Sequence, residues 1–431
     1  MTTVARRNVS VRLGWWARRY LSTTTRPLNG IIHAPAESEM SALDNTPENA
    51  KATSAAKARQ MLRGKVLDFS LNLRTVRPGD KVNIPYQITL TESMQEFWFS
   101  SFFDQNRIHT SRPFCRKMGL QDRVLPFSLA LFLTSSMSHE DAAKVQVGYG
   151  NVSYLWPIFS GDTLRRVFTV SKIRNTSDGQ HSIITFSCDL INQRDRLCMR
   201  ADKRLLFQFP VPESNFTSTT VENEPVDTHL FRDHLLSKAT TVLAQEPSHS
   251  LARLEPGLMI LHTMHRSLTF AQSQQLASLA RLTHERHFDS YKYDKAFEIF
   301  VPGGLVLGIA MSASARDLHE ILHEEIKSCA YINKLNPDSV VGAISFVHSV
   351  DDNLPGDMEM VHVTTLGIKN LNVQRDLHNV DIPVDLFEPG IFTKEMEKIC
   401  KESCPVLSGK IVVAVERKIL RQTRKREVFL L

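Results

Sequence analysis

Apolar positions along the chain change period several times, and the order of those changes occurs twice. In the first half, Thr91-Glu92-Ser93 opens a helix that runs through Phe97, Phe99 and Phe103, and Ser93 and Glu96 have the spacing of a capping box. The helix ends in a polar turn containing Asp104 and His109. Leu125-Pro126 follows, then an apolar helix over residues 127–137. Period-two alternation next predicts strands near 145–154, 164–173, 182–191 and 197–209. In the second half, Thr269 and Gln272 form a capping-box pair before a helix ending near Leu282, with His287 in the following turn. Val301-Pro302-Gly303-Gly304 precedes an apolar helix over 305–313, and strands fit 343–350, 359–368, 373–382 and 411–417. Gly161-Asp162 and Gly356-Asp357 fall at the same point of each strand series. A repeat this long predicts two similar α+β domains packed together, each a helix wrapped by antiparallel strands.

The stretches between these patterns set the boundaries. Residues 23–62 are rich in Ala, Ser, Thr, Glu and Lys without a sustained apolar period, and are expected to be mostly flexible. Pro210-Val211-Pro212 and the Ser/Thr/Glu-rich run after it mark a linker at 213–250, within which residues 230–244 suit a short amphipathic helix. The predicted organisation is therefore a presequence at 1–22, a flexible segment at 23–62, an N-terminal domain at 63–212, the linker, and a C-terminal domain at 251–431. A chain of 431 residues with 42% hydrophobic and 23% charged residues has enough apolar material for such cores. That composition excludes wholesale disorder and a collagen-like chain. No apolar window is long enough for a membrane-spanning helix. The six cysteines (Cys115, Cys188, Cys198, Cys329, Cys400 and Cys404) form no C-x-x-C pair and read as reduced thiols, with neither zinc nor disulfides.

Net charge changes the picture only at one end. The formal charge is +6, but residues 1–26 alone hold six arginines (Arg6, Arg7, Arg12, Arg18, Arg19 and Arg26), with no lysine and no acid. Without them the chain has 46 basic and 46 acidic residues. Apolar residues are interspersed among these arginines, and Arg18-Arg19-Tyr20-Leu21 resembles a mitochondrial processing site. The expectation is import into the mitochondrial matrix.

Phe103-Asp104-Gln105-Asn106-Arg107-Ile108-His109 resembles the D-x-N-x-x-H turn of the MaoC-like hot-dog family, which includes R-specific enoyl-CoA hydratases and 3-hydroxyacyl thioester dehydratases. Trp156-Pro157-Ile158-Phe159-Ser160-Gly161-Asp162-Thr163-Leu164 is similar to the family's P-x-x-x-G-D-T-L segment. In the second half, Leu268-Thr269-Phe270 and His284-Glu285-Arg286-His287-Phe288-Asp289 resemble the C-terminal half of the mitochondrial type 2 thioester dehydratases. The resemblance implies a tandem (double) hot-dog of α+β class, its two sheets paired edge to edge within one chain. It also implies dehydration of 3-hydroxyacyl thioesters, or hydration of enoyl thioesters, in mitochondrial fatty-acid metabolism. The acyl group would be carried on coenzyme A or acyl carrier protein, with no cofactor and no metal. Such a reaction needs a base for water, an acid for the α carbon and a donor for the thioester oxygen. An Asp and a His five residues apart on a turn are placed to hold one water between them. By resemblance, Asp104 and His109 are the acid–base pair and Asn106 orients the turn or the water. Backbone N–H groups at Phe127 and Ser128 would meet the oxyanion.

Two departures support a rival from another class, a hot-dog protein without catalysis serving as a structural or assembly subunit of a mitochondrial ribonucleoprotein. Pro126-Phe127 stands where the family has Pro-Gly, and Leu282 stands where the second half needs an acid or amide, so His287 reads as structural. The basic run Arg417-Lys418, Arg421, Arg424-Lys425-Arg426 is a candidate dock for RNA, coenzyme A phosphates or an acidic carrier protein, with a solvated tail as the plain alternative. His319 and His323 have the i, i+4 spacing of a metal site on a helix. They lack a clear third ligand, so a solvated helix face is expected there.

Overall fold

A computed structural model of the chain describes residues 62–65 and 73–423, apart from positions 85, 135–142, 216–225, 243–247, 249–252, 294–297 and 391–392. The presequence, nearly all of the 23–62 segment, Met137 and residues 424–426 of the basic run lie outside the described residues. The first half runs β1 (Lys81–Asn83), β2 (Ile88–Thr89), α1 (Glu92–Phe102), α2 (Arg107–Thr110), α3 (Arg112–Lys117), α4 (Phe127–Phe132), β3 (Ala143–Tyr154), β4 (Thr163–Asn175), β5 (Ser182–Ile191) and β6 (Leu197–Phe207). After α5 (Leu230–Val242), the second half runs β7 (Met259–Leu261), β8 (Arg266–Ser267), α6 (Phe270–Leu279), α7 (Gly303–Ser314), β9 (Ile321–Tyr331), β10 (Val340–Leu354) and β11 (Met358–Lys369). It closes with α8 (Val373–Leu377), α9 (Thr393–Ser403) and β12 (Ile411–Gln422).

The strands form one antiparallel sheet in the order β1-β4-β5-β6-β3-β9-β12-β11-β10-β7, with β2 on β4 and β8 on β10. The order reads the same outward from the β3–β9 seam in either direction, so the two halves are joined edge to edge as expected. Each half wraps its strands around a central helix. In the second half this is α7, which is apolar all round and buries ten of its twelve residues, as a helix without a solvent face must. In the first half it is the shorter α4, whose Phe132 packs on Trp98 and against Gly304 of α7. At the seam, Gly148 lies opposite Ala330. A Cβ on Gly148 would sit 1.9 Å from the carbonyl oxygen of Cys329, so only glycine lets the two sheets meet this closely. The linker helix α5 seals the join by burying Phe231, Leu235 and Ala239.

Several expectations fail for identifiable reasons. The 319–325 segment leads into β9 and forms its first residues, and is not a solvated helix face. His319, Glu320, His323, Glu324 and Glu325 are all buried. Residues 321–326 are covered on both faces, so no alternation marks them as a strand, and charge partners elsewhere in the fold hold the glutamates. Missing this strand shifts the second series by one. The counterpart of Gly161 is Asp338, not Gly356: both lie before the second long strand of their half with positive φ. Gly161 N–H bonds Leu90 O at 2.9 Å, and Asp338 N–H bonds Leu268 O at 2.7 Å. The strand predicted at 373–382 begins instead with α8, where Asn372 caps the Arg375 N–H and Val373 and Leu377 bury one helical face. The cap of α1 is Thr91, which accepts from Met94 N–H; Glu96 pairs with Arg123. The Thr269–Gln272 capping box is present as predicted. The basic run is not a tail through its first residues: Arg417 and Arg421 are buried in β12, and Arg421 pairs with Glu359 at 2.7 Å.

Candidate active site

The D-x-N-x-x-H turn is shaped by backbone hydrogen bonds before any long-range contact acts. Phe103 takes the left-handed conformation (φ 50°) and closes α1 with its N–H on Phe99 O, which turns the chain so that Asp104 starts a new direction. Asp104 Oδ1 accepts from both the N–H and the side-chain Nδ2 of Asn106, each at 3.0 Å, an Asx turn. Residues Arg107–Thr110 then form the single turn α2, which carries His109 inward.

His109 is buried, and its Nδ1 lies 2.9 Å from the carbonyl oxygen of Val124. A carbonyl only accepts, so Nδ1 carries the hydrogen and a neutral ring presents an unprotonated Nε2. That Nε2 faces Asp104 Oδ2 at 4.0 Å. The gap is too long for a direct hydrogen bond and right for one water, which would donate one hydrogen to each acceptor and keep its lone pairs free.

Two small cavities meet this pair. One of about 40 Å³ is lined by Asp104, Asn106, Trp98, Phe102, Phe127 and Ser128, together with Glu324 and Arg417 of the second half. The other, of about 10 Å³, is lined by His109, Phe127, Phe231 and Glu324. The larger has room for roughly three waters at ~10–15 Å³ each. Phe127 and Glu324 wall both. α4 begins at Pro126 without a side-chain cap, and its first intrahelical bond is Ala130 N–H to Pro126 O. The Phe127 and Ser128 amides therefore have no helical partner. The Ser128 hydroxyl itself accepts from Trp98 Nε1 at 3.1 Å.

The second half supplies more of this site than the sequence suggested. Asn106 Oδ1 accepts from the Ile321 N–H at 2.9 Å, so Asn106 pins the turn to β9 while orienting Asp104. Arg107 binds Glu320 through Nε at 3.1 Å and Nη2 at 2.6 Å, and reaches Gln422 at 2.7 Å. Arg417 Nη1 donates to Glu324 at 2.9 Å. Burial pushes the Glu324 carboxyl above its usual range against the pull of Arg417. Sequence reasoning missed Glu324, and placed Arg417 both at the end of a predicted strand and at the head of the basic run. The available signal was a run of charges flanked by Ile and Leu in one strand, and an arginine between Val415 and Ile419 in another.

The second-half turn is filled. Leu282 packs against the core where Asp104 has its counterpart. His287 Nδ1 lies 2.9 Å from Phe300 O, repeating the His109 anchor, and burial pushes its ring down to about 4. His284 takes the place of Asn106 and reaches across to Ala143 O at 2.7 Å. At the start of α7, Tyr331 lies 3.0 Å from where a Gly303 Cβ would be. His319 and His323 bond the Arg316 and Tyr154 carbonyls. Among the described residues no cluster of three or more His, Cys, Asp or Glu is arranged to hold a metal, and all six cysteines are buried and free. Among the same residues, no helix is long and apolar enough to cross a membrane.

No protein-family model matches the chain. A curated relative, the beta-methylmalyl-CoA dehydratase of Chloroflexus aurantiacus, is 23% identical over 243 residues, which cover 54% of this chain and 69% of the relative. Among solved structures, a MaoC domain protein described as a dehydratase, also from Chloroflexus aurantiacus, matches with a TM-score of 0.63 at 18% identity, covering 84% of this chain and all of that one. A conserved hypothetical protein of Mycobacterium tuberculosis described as a double hotdog matches at 0.57 and 11% identity, covering 82% of this chain and 99% of its own. The chain has the double hot-dog fold of the MaoC-like dehydratases.

Proposed function

We propose that the first-half turn is the active site of a hydro-lyase that hydrates 2-enoyl thioesters and dehydrates the matching 3-hydroxyacyl thioesters. The observation that carries this reading is the 4.0 Å separation of His109 Nε2 and Asp104 Oδ2, two acceptors converging on the position of one water beside unpartnered amides. In hydration, that water donates to both groups while its oxygen attacks C3. As the C3–O bond forms, charge moves onto the thioester oxygen, where the Phe127 and Ser128 amides stabilise it. The pair takes one proton from water and returns one to C2, so H and OH add across the double bond and the enzyme is unchanged. Proton transfer alone balances the reaction. Asn106 is a positioning residue, holding Asp104 through Oδ1 while Oδ2 stays free. The curated relative is named for a coenzyme A thioester, which supports an acyl-CoA substrate here. The Arg-rich, acid-free residues 1–26 support a setting in the mitochondrial matrix.

The second reading, a hot-dog subunit without catalysis, draws on Phe127, which walls both cavities and leaves the larger at about 40 Å³. One assay decides between them. Hydration of trans-2-enoyl-CoA is followed by loss of the enoyl thioester absorbance, with wild type beside Asp104→Asn and His109→Gln. Removal of either proton-transfer group is expected to lower kcat by about 10²–10⁴. No turnover of CoA or carrier-protein thioesters by folded wild type would refute the hydro-lyase.

A further inference from the structure

Hydration needs a proton for C2 at the moment when Asp104 and His109 both accept hydrogens from the attacking water, so neither holds one to give. The groups bordering the two cavities narrow the source. The titratable side chains around the larger are Asp104, Glu324 and Arg417, and those around the smaller are His109, Tyr154, His323 and Glu324. A guanidinium does not release its proton. The Tyr154 hydroxyl donates to Leu125 O at 3.0 Å, and burial pushes its proton affinity well up. His323 Nε2 lies 2.9 Å from Tyr154 O, which fixes a hydrogen there. Glu324 remains, and it borders both cavities.

Glu324 has one oxygen held and one free. Oε2 accepts from Arg417 Nη1 at 2.9 Å, while Oε1 takes no hydrogen bond among the described residues. Arg417 is itself fixed by a directional chain. Its Nη2 meets Thr365 at 3.3 Å, Thr365 meets Ser345 at 2.7 Å, Ser345 meets His262 Nε2 at 2.9 Å, and His262 Nδ1 meets Asp317 at 2.7 Å. His262 donates to the carboxylate, Ser345 to His262, Thr365 to Ser345, and Arg417 to Thr365. The Asp–His–Ser order resembles a nucleophile triad, but Ser345 is fully buried in β10 and both of its neighbours use its oxygen. The chain orients Arg417 and attacks nothing.

The charges around Glu324 suit a proton donor. It faces Arg417 from β12, His109 and Asp104 from the turn, and Tyr154 from β3 across the smaller cavity. The central helices α4 and α7 bring no charged residue. The other nearby charges are taken: His229 and Arg232 of α5 and Lys327 by Glu325, Arg107 by Glu320, and Arg421 by Glu359. Burial holds the proton on Glu324, and Arg417 favours the carboxylate left when that proton departs. Building on the hydro-lyase reading, we propose that Glu324 is a third catalytic residue, which gives its proton to C2 and receives in exchange the one that Asp104 and His109 take from water. As the C3–O bond forms, the double-bond electrons pass toward C2 and the thioester oxygen. The Glu324 O–H bond then breaks, its hydrogen joins C2, and its electron pair stays on the carboxylate against Arg417. The proton taken from water crosses the cavity to Glu324, so all three groups return to their starting states and one water has been added.

The test follows hydration of crotonyl-CoA by the full chain against pH, in wild type, Glu324→Gln and Glu324→Asp. Wild-type hydration should fall at high pH, as Glu324 loses its proton. Glu324→Gln keeps the shape and an acceptor for Arg417 but has no acidic proton. Its kcat should drop by about 10²–10⁴, and the high-pH fall should be absent from the residual activity. Glu324→Asp should restore part of the rate and move the fall to lower pH, since an Asp carboxyl loses its proton more readily; this variant carries the test if Glu324→Gln fails to fold. A Glu324 that only holds the structure would change the rate and leave the position of the fall untouched. Glu324→Gln within about threefold of the wild-type kcat, or a fall unmoved in either variant, would overturn this inference and leave the hydro-lyase reading standing. No turnover by folded wild type would overturn both.

Discussion

Replacing Asn106 with alanine separates what the turn does for folding from what it does for chemistry. The substitution removes the acceptor of the Ile321 N–H, a bond of 2.9 Å in a buried setting, and leaves that amide unsatisfied at a cost of about 1–3 kcal/mol. It also removes the 3.0 Å bond from Nδ2 to Asp104. Asp104 keeps the backbone N–H of residue 106 and borders a cavity, so this loss adds no more than about 1 kcal/mol. The expected destabilisation is therefore ~1–4 kcal/mol, a sizeable share of the ~5–15 kcal/mol typical of a domain. Urea unfolding followed by fluorescence of the buried Trp98 reads it directly, as a lower midpoint at unchanged slope. Asp104→Asn is the control: its side-chain oxygen still accepts both Asn106 donors, so stability should stay within about 1 kcal/mol of wild type while hydration is lost. If Asn106→Ala shifts stability by less than about 0.5 kcal/mol, the link between the turn and β9 is not what holds the site, and the reasoning fails.

Two further outcomes follow from the same geometry. Gly148→Ala places a methyl 1.9 Å from a backbone oxygen across the seam, so the halves must part; a loss of about 2–3 kcal/mol or more is expected by the same unfolding assay, and a neutral result would refute the seam's geometry. His287 has a folded value of about 4 against an ordinary 6.5, so below pH 6.5 the unfolded chain binds a proton that the folded chain refuses. Stability should therefore fall as pH drops from about 6.5 to about 4, by at most ~3 kcal/mol from this group. His287→Gln should flatten that slope without affecting hydration, and a loss of turnover would show that the second-half turn takes part in catalysis.

The turn was legible in the sequence because its logic is local. Asp104, Asn106 and His109 lie within six residues, and one Asx turn and one helical turn are enough to bring them together. The doubled α+β plan was legible for a similar reason, since the β4, β5 and β6 strands each have one face more covered than the other and so alternate. β9 was not, because burial on both faces erases alternation and the sequence HEE then reads as helix. That one omission also hid the Asp338 counterpart of Gly161 and the identity of Glu324 as a cavity residue.

What the chain by itself determined, then, is the order of elements, the repeat and the chemistry of one turn, each set by residues within about a dozen positions of one another. What only the tertiary structure decided is which charges are interior. Arg417 follows Asp104 by more than three hundred residues, and a basic side chain between Glu416 and Lys418 looks the same in a frayed tail as in a central strand. Only the pairing of β12 with β9, and of β9 with β3 across the glycine seam, buries that guanidinium and carries it into the first half's cavity. Long-range strand pairing has no local signature, so it is there that the sequence stops and the fold begins to specify the site.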